Sequence, residues 1–315
     1  MNEIKIFCPA TIANLSCGFD VLGLCLETTG DEMIIRKSSV KGIRITKILG
    51  ADLPLATEKN VAGVAALAML DTIESEFGFE IEIYKNIKAG SGIGSSAASA
   101  AGAVFGINEL LGRPFTCKEL VLFAMQGEKL ACGNAHADNV APALLGGFTL
   151  VRSSNPLDII RIDSPSELYV TVVHPQIELK TSDARSVLKQ TVSLKSAIIQ
   201  WGNVGGLVAG LYTSDYDLIG RSLHDEIVEP LRRVLIPGFE LIKKAACDHG
   251  ALGSGISGSG PSIFALSKGK ETADKVAKAM SAIYDDMNLP FEIHVSKVNK
   301  EGMKILPIHS KGEVL

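Results

Sequence analysis

Residues 90–99 read Gly-Ser-Gly-Ile-Gly-Ser-Ser-Ala-Ala-Ser and run directly into an alanine-rich stretch that predicts a helix from Ser95 through Leu111. Gly90, Gly92 and Gly94 permit backbone conformations closed to other residues, so successive N–H groups can close around an anion. The first turn of the following helix adds unpaired N–H donors and the positive end of its dipole, which together favour phosphate. The segment is not a Walker A loop, because Ser-Ser stands where that pattern needs Lys-Ser or Lys-Thr. It also lacks the GxGxxG spacing, and the acidic residue downstream, of a dinucleotide fingerprint. On this loop alone, anion binding and close packing of a helix on a sheet both remain open.

Three other segments concentrate polar groups. Pro9–Asp20 carries Asn14 and Asp20; Glu128 is followed by Asn134–Pro142 with His136, Asp138 and Asn139; Gly255–Ser262 is a second glycine-serine loop. Each has a plain reading: Asp20 and Asn14 as turn or cap residues, His136 with Asp138 as a hydrogen-bonded pair, Asp138 as the cap of a short helix, and Gly258–Gly260 as a tight turn. His174, His224 and His249 match no metal-ligand spacing.

The elements that must position these residues are mixed. Strands are expected at Ile4–Phe7, Met33–Arg36 and Glu80–Tyr84, the last alternating as a strand with one wet face should. Asn60 reads as the N-cap of an apolar helix ending near Phe77, and Thr116 with Glu119 has capping-box spacing for a helix to about Ala131. After Gly146-Gly147 the expected order is strand (Phe148–Val151), a turn-rich stretch, strand (Leu168–Val173), and helices near Val192–Leu211 and Gly238–Asp248. Two strands around the second glycine loop, a helix at Glu271–Asp285 and a strand at Phe291–Val298 complete it. This order predicts helices on one face of an antiparallel sheet in the second half.

At 315 residues and 46% hydrophobic content the chain is long enough for two cores. A net charge of −4 with no polybasic run argues against nucleic acid and anionic membranes as partners. The start lacks a signal-peptide pattern and no apolar run reaches about eighteen residues, so a cytoplasmic location is expected. The six cysteines include no CxxC pair, and most are expected to be small buried hydrophobes.

The polar segments, in this order, resemble the motifs of the kinases named after galactokinase, homoserine kinase, mevalonate kinase and phosphomevalonate kinase (GHMP kinases): an N-terminal segment, a central Gly-Leu-Gly-Ser-Ser-Ala-type loop and a C-terminal Gly-Ser-Gly loop. Pro9–Asp20, His136–Pro142, Ile256–Ser262, Thr181–Arg185 and Glu229–Arg232 are similar to the homoserine kinase branch. The resemblance implies an α+β, two-domain fold. Its N-terminal α/β domain (1–155) would hold a left-handed βαβ-type nucleotide site, and its C-terminal domain (156–315) would be ferredoxin-like.

The activity implied is ATP- and Mg²⁺-dependent phosphorylation of the side-chain hydroxyl of L-homoserine, a step toward threonine. A kinase for another small alcohol, or a nucleotide-binding relative without catalysis, are the alternatives. Family members are often dimers, so a homodimer is an expectation. By the family pattern, Lys88, Ala89, Gly90, Ser91, Gly92, Ile93, Gly94, Ser95, Ser96, Ala97 and Ala98 wrap the ATP phosphates, and Asn60 approaches the adenine. Glu128 and Ser96 hold the metal. Asp20, helped by Asn14, takes the substrate ammonium; Arg185 and Arg232 clamp the carboxylate, with Arg233 the alternative to Arg232; His136 lines the pocket. Asn139 aligns the attacking hydroxyl, Thr181 helps orient the nucleophile or the γ-phosphate, and Arg185 is counted with them among the catalytic residues. No strong general base is implied, so the reaction expected is direct in-line attack.

Overall fold

A computed structural model describes residues 1–133, 135–179 and 181–308; Asn134, within the third polar segment, lies outside them. The elements in chain order are β1 (Glu3–Ala13), β2 (Leu22–Ser38), β3 (Ile43–Leu49), α1 (Val61–Leu70), β4 (Gly78–Tyr84), α2 (Ser95–Leu110), α3 (Cys117–Cys132), α4 (Val140–Leu145), β5 (Phe148–Ser154), β6 (Leu157–Ile162) and β7 (Leu168–Pro175). There follow α5 (Thr181–Ser186), α6 (Leu194–Thr213), α7 (Tyr216–Ser222), α8 (Glu229–Arg232), α9 (Phe239–Asp248), β8 (Gly253–Ile256), β9 (Ile263–Lys268), α10 (Lys270–Asp286), β10 (Phe291–Lys297) and β11 (Lys304–Leu306).

β1 and β4 alternate buried apolar with half-buried residues, which gives the first sheet one dry face. The sheet runs β11-β1-β2-β4-β3, with β5 on β2 and β6 on β5. All its pairs are antiparallel except β3 with β4, the two strands joined through α1. Its core sets Ile4, Ile6, Met33 and Ile35 against the alanines of α2. The small residues there are required: a Cβ on Gly102 would meet Cys8 Sγ at 2.5 Å, and one on Gly106 would meet Ile35 Cδ1 at 2.6 Å. α2 therefore lies close on the sheet, and its position fixes the loop that precedes it.

The second sheet is antiparallel in the order β10-β7-β9-β8. Numbered within the domain this is 4-1-3-2, the ferredoxin-like order. Buried Val173, Ile263, Phe239, Met280 and Tyr284 join the sheet to α9 and α10 in a second core.

The structure corrects several sequence expectations. A division at 155/156 falls in the turn of the β5–β6 hairpin, which pairs wholly within the first sheet, and β11 returns to that sheet from the other end of the chain. α1 stops at Leu70 rather than near Phe77, because Thr72 Oγ1 donates to the Met69 carbonyl at 2.7 Å and closes the last turn. Cys8, Cys17 and Cys25 are buried as expected, but Cys117 and Cys247 are exposed. The Thr116/Glu119 capping box is present.

Candidate active site

A cleft of roughly 530 Å³ separates the start of α2 from α5 and the second glycine loop. Gly90, Gly92 and Gly94 have φ of 74°, 81° and 72°. At Gly94 a Cβ would meet Thr11 Oγ1 at 2.0 Å, so no side chain fits where the loop enters the helix. Gly94 is the N-cap of α2 and supplies no side-chain cap, which leaves the first-turn N–H groups to other acceptors. Ser257 Oγ donates to the Gly92 carbonyl (2.7 Å) and Ser262 Oγ to the Ser91 carbonyl (2.6 Å). The second glycine loop thus engages the acceptors of the first, and what remains is a donor-rich cradle. The loop has the backbone shape an anion cradle needs, and the helix packs closely on the sheet; the two features divide at Ser95.

Glu128 lies on α3 with only 6% of its surface exposed, and the Ser96 hydroxyl hydrogen-bonds it. Burial pushes its carboxyl up to about 7, against the opposing pull of Ser96 and of the Lys85 charge. A buried carboxylate and a hydroxyl beside a phosphate loop form an all-oxygen donor set suited to a hard divalent cation, which takes its remaining ligands from phosphate and water. Lys85 was not singled out from the sequence. It is buried in an ion pair with Asp31 and donates to Ser95 O (2.9 Å) and Ser99 Oγ (3.1 Å), bracing the first turn of α2. Its signal was only a lysine following an apolar strand, which does not separate it from other lysines.

Across the cleft the first polar segment turns tightly, with Asn14, Leu15, Ser16 and Asp20 all at positive φ. Asn14 holds the turn: its Oδ1 accepts from Asp20 N (3.0 Å) and its Nδ2 donates to Gly258 O (2.7 Å). Arg185, on α5, meets the Asp20 carboxylate with two nitrogens, Nη2 at 3.0 Å and Nη1 at 3.2 Å. His136 Nε2 lies 3.1 Å from Arg185 Nη2. Burial and the neighbouring guanidinium lower the imidazole's affinity for a proton. Neutral His136 therefore accepts at Nε2, and its proton resides on Nδ1, 3.9 Å from Asp20 Oδ1.

Phe19 lies between the two arginines, its ring centroid 5.6 Å from Arg185 Cζ and 5.0 Å from Arg232 Cζ. Arg232 is buried and lines the cleft, donating to Ala184 O and Gly258 O. Burial and Arg185 lower its pKa to about 10, so it stays cationic at neutral pH. Arg233 instead faces solvent and pairs with Glu240.

Asn139 Oδ1 accepts from Thr11 Oγ1 at 2.8 Å, which fixes the amide so that its Nδ2 is the end left for the cleft. Thr181 Oγ1 lies 3.4 Å from Ser259 Oγ at the cleft wall. Asp138 differs from expectation. α4 is capped at Asn139 with no side-chain bond, so Asp138 does not cap it. Its carboxyl is buried, lines the cleft, and is pushed up to about 7 by burial first and then by Asp20 and Glu128. Among the described residues Oδ1 has no hydrogen-bond partner.

Other expected residues fall elsewhere. Asn60 is buried as the cap of α1, its amide occupied by Ala62 N and Pro54 O; its neighbour Val61 lines the cleft. Lys88 reaches out of the cleft to Gln176, and Ile93, Ala97 and Ala98 are core residues beneath the loop.

A donor cradle for polyphosphate facing a separate pocket that carries both charge signs defines a phosphotransferase acting on a small charged molecule. Residues 60–147 match the GHMP kinases N terminal domain and 207–286 the GHMP kinases C terminal domain. The chain is 50% identical to a homoserine kinase of Chlorobium phaeobacteroides, over 97% of this chain and 100% of that one. It superposes on a crystal structure of homoserine kinase from Cytophaga hutchinsonii with a TM-score of 0.94 and 54% identity, covering 97% and 98% of the two chains. A Leishmania major mevalonate kinase, at 19% identity and TM-score 0.68, shares the fold. The chain belongs to the GHMP kinases, and within them to the homoserine kinases.

Proposed function

We propose that this chain transfers the γ-phosphate of ATP to the side-chain hydroxyl of L-homoserine, giving O-phospho-L-homoserine. The observation that carries the substrate assignment is the pairing of Asp20 with Arg185, and Arg232 behind them, facing the anion loop across one cleft. An amino acid offers a cation and an anion one carbon apart, and this pocket presents the matching anion and cations. Asp20 would take the ammonium, while Arg185 and Arg232 take the carboxylate, for which the guanidinium fork is suited.

The glycine loop and the first turn of α2 would hold the triphosphate by those N–H groups that have no partner within the chain. Magnesium, held by Ser96 and Glu128, would neutralise phosphate charge when bound. Phosphoryl transfer asks mainly for positioning and charge stabilisation. Asn139 Nδ2 donates to the acceptor hydroxyl oxygen and leaves a lone pair aimed at phosphorus, with Thr181 beside it. The new O–P bond forms as the bond to the leaving phosphate oxygen breaks, and the hydroxyl proton passes to an oxygen of the transferred group.

A second reading gives that proton to Asp138, and it is favoured by one observation: the unpartnered, buried Oδ1 with its raised pKa at the cleft wall. An ADP-release assay with homoserine, mevalonate, galactose or no acceptor tests the function. Turnover should require homoserine. Equal turnover on an acceptor lacking an amine, or on none, overturns the assignment.

A further inference from the structure

Among the described residues His174 is the one buried histidine, and the chemistry of the cleft does not use it. It stands next to last in β7, one step beyond Val173 with Ile263, the final pair of β7 with β9. Strand register therefore sets it beside Ser262, which is fully buried at the end of the second glycine loop. Ser262 is bonded on two sides. Its Oγ lies 2.6 Å from Ser91 O and 3.2 Å from His174 Nδ1, and its backbone N donates to the same Ser91 carbonyl at 3.3 Å.

A hydroxyl has one hydrogen to give. Ser91 O can only accept, and it is the nearer atom, so the hydrogen lies between Ser262 and the loop. Nδ1 must then carry its own hydrogen and donate to Ser262 Oγ. That tautomer leaves Nε2 bare, and Nε2 is buried with no partner among the described residues. The opposite tautomer would bury an N–H with no acceptor and turn the Ser262 hydrogen away from the loop. Protonation would also place a hydrogen on Nε2. Burial first, and then Lys88 and His294, push the imidazole down to about 4, so it is neutral at physiological pH.

These bonds act on the phosphate loop. Three successive carbonyls there are held from outside: Ser91 O by Ser262 Oγ, Gly92 O by Ser257 Oγ and Ile93 O by Thr11 N. Each is an acceptor already engaged, which leaves the loop's donors to an anion. At Ser91 alone the bond comes from a hydroxyl whose direction a third group sets.

We propose that His174 is a positioning residue for the nucleotide: its Nδ1–H fixes the Ser262 hydroxyl toward Ser91 O and so holds the phosphate loop in its binding shape. This rests on the reading of that loop as an ATP cradle, and not on the identity of the acceptor.

ATP affinity, measured by calorimetry with no acceptor present, is the first test. Asparagine places its Nδ2–H₂ where the imidazole carries Nδ1, whereas the glutamine donor falls at the position of Nε2. His174→Asn should keep ATP affinity within about twofold of the parent. His174→Gln and His174→Leu should each lose about three- to tenfold, with KM for homoserine level in initial-rate assays. Ser262→Ala should lose at least as much, and adding His174→Leu to it should cost nothing further, because the histidine acts only through that hydroxyl. An additive loss in the double variant, equal rescue by Gln and Asn, or a loss confined to KM for homoserine overturns the inference. Should the variants lose their native circular dichroism, nitrogen NMR of the parent decides: hydrogen on Nδ1 with Nε2 bare supports the proposal, and hydrogen on Nε2 refutes it. If homoserine is not phosphorylated while the ATP results hold, the acceptor assignment fails and this inference stands.

Discussion

Asp138→Asn probes both the energetics of the site and the route of the proton. In the folded chain the carboxyl is raised from 3.8 to about 7, chiefly by burial. The folded state therefore holds this proton more tightly than the unfolded state. Between about pH 4 and 7 it binds more protons, so stability falls as pH rises and is lowest above pH 7. A shift of about three units corresponds to roughly 4 kcal/mol of destabilisation at pH 8. The asparagine amide carries no charge at any pH. It does bring a buried N–H₂ that needs acceptors, a pH-independent cost of about 1–3 kcal/mol. The net expectation is a variant more stable than the parent by about 1–3 kcal/mol at pH 8 and less stable at pH 4. Urea unfolding at the two pH values reads this directly. A difference that is the same at both, or that favours the variant more at the lower pH, refutes the argument. Turnover separates the two proton routes: direct transfer predicts kcat within about tenfold of the parent, whereas Asn139→Ala should lose about a hundredfold with little change in KM. The reverse pattern would move the chemistry from Asn139 to Asp138.

Gly94→Ala places a Cβ 2.0 Å from Thr11 Oγ1 at a φ of 72°, so ATP affinity should fall by tenfold or more, read by calorimetric titration with the nucleotide. Arg185→Lys keeps the charge but loses the two-pronged contact with Asp20, so KM for the acceptor amino acid should rise about tenfold while KM for ATP stays level in initial-rate assays. Glu128→Gln should lower kcat by about a hundredfold or more and raise the magnesium concentration needed for half-maximal rate, measured by metal titration. An unchanged magnesium dependence would remove Glu128 from the metal site.

Local signals in the sequence carried far in this chain. The left-handed glycines, the helix start at Ser95, the Asn60 cap and the Thr116 capping box are written in short windows, because each depends on backbone geometry within a few residues. What could not be read there is set by distant contacts. Lys85 matters only because Asp31, 54 positions away, meets it beneath α2. Asp138 reads as a cap from its neighbours, yet its environment is set first by burial and then by Asp20 and Glu128, which the fold brings near. The domain limit was misplaced for the same reason. The turn residues at 152–156 mark a hairpin rather than a linker, and no local signal announces that β11 crosses back to pair with β1.

The Asp20–Arg185 pair also bears on how the pocket discriminates. With these two side chains bonded to each other, the pocket is already neutral at that point, and any ligand must replace a two-pronged charge-assisted contact. A zwitterion does so at no cost in charge balance: its ammonium takes over Asp20 as its carboxylate takes over Arg185. A carboxylate lacking the amine draws Arg185 from Asp20 and returns no ammonium to it, while the carboxyl of Asp138 nearby adds negative charge as pH rises past about 7. A neutral polyol offers only dipoles to separate two full charges. On the proposed assignment the pair would act as an internal competitor that a zwitterion displaces better than either alternative. Asp20 stands on the first polar segment and Arg185 on α5, so a ligand that makes this exchange would lie between two elements that the ion pair already holds in register.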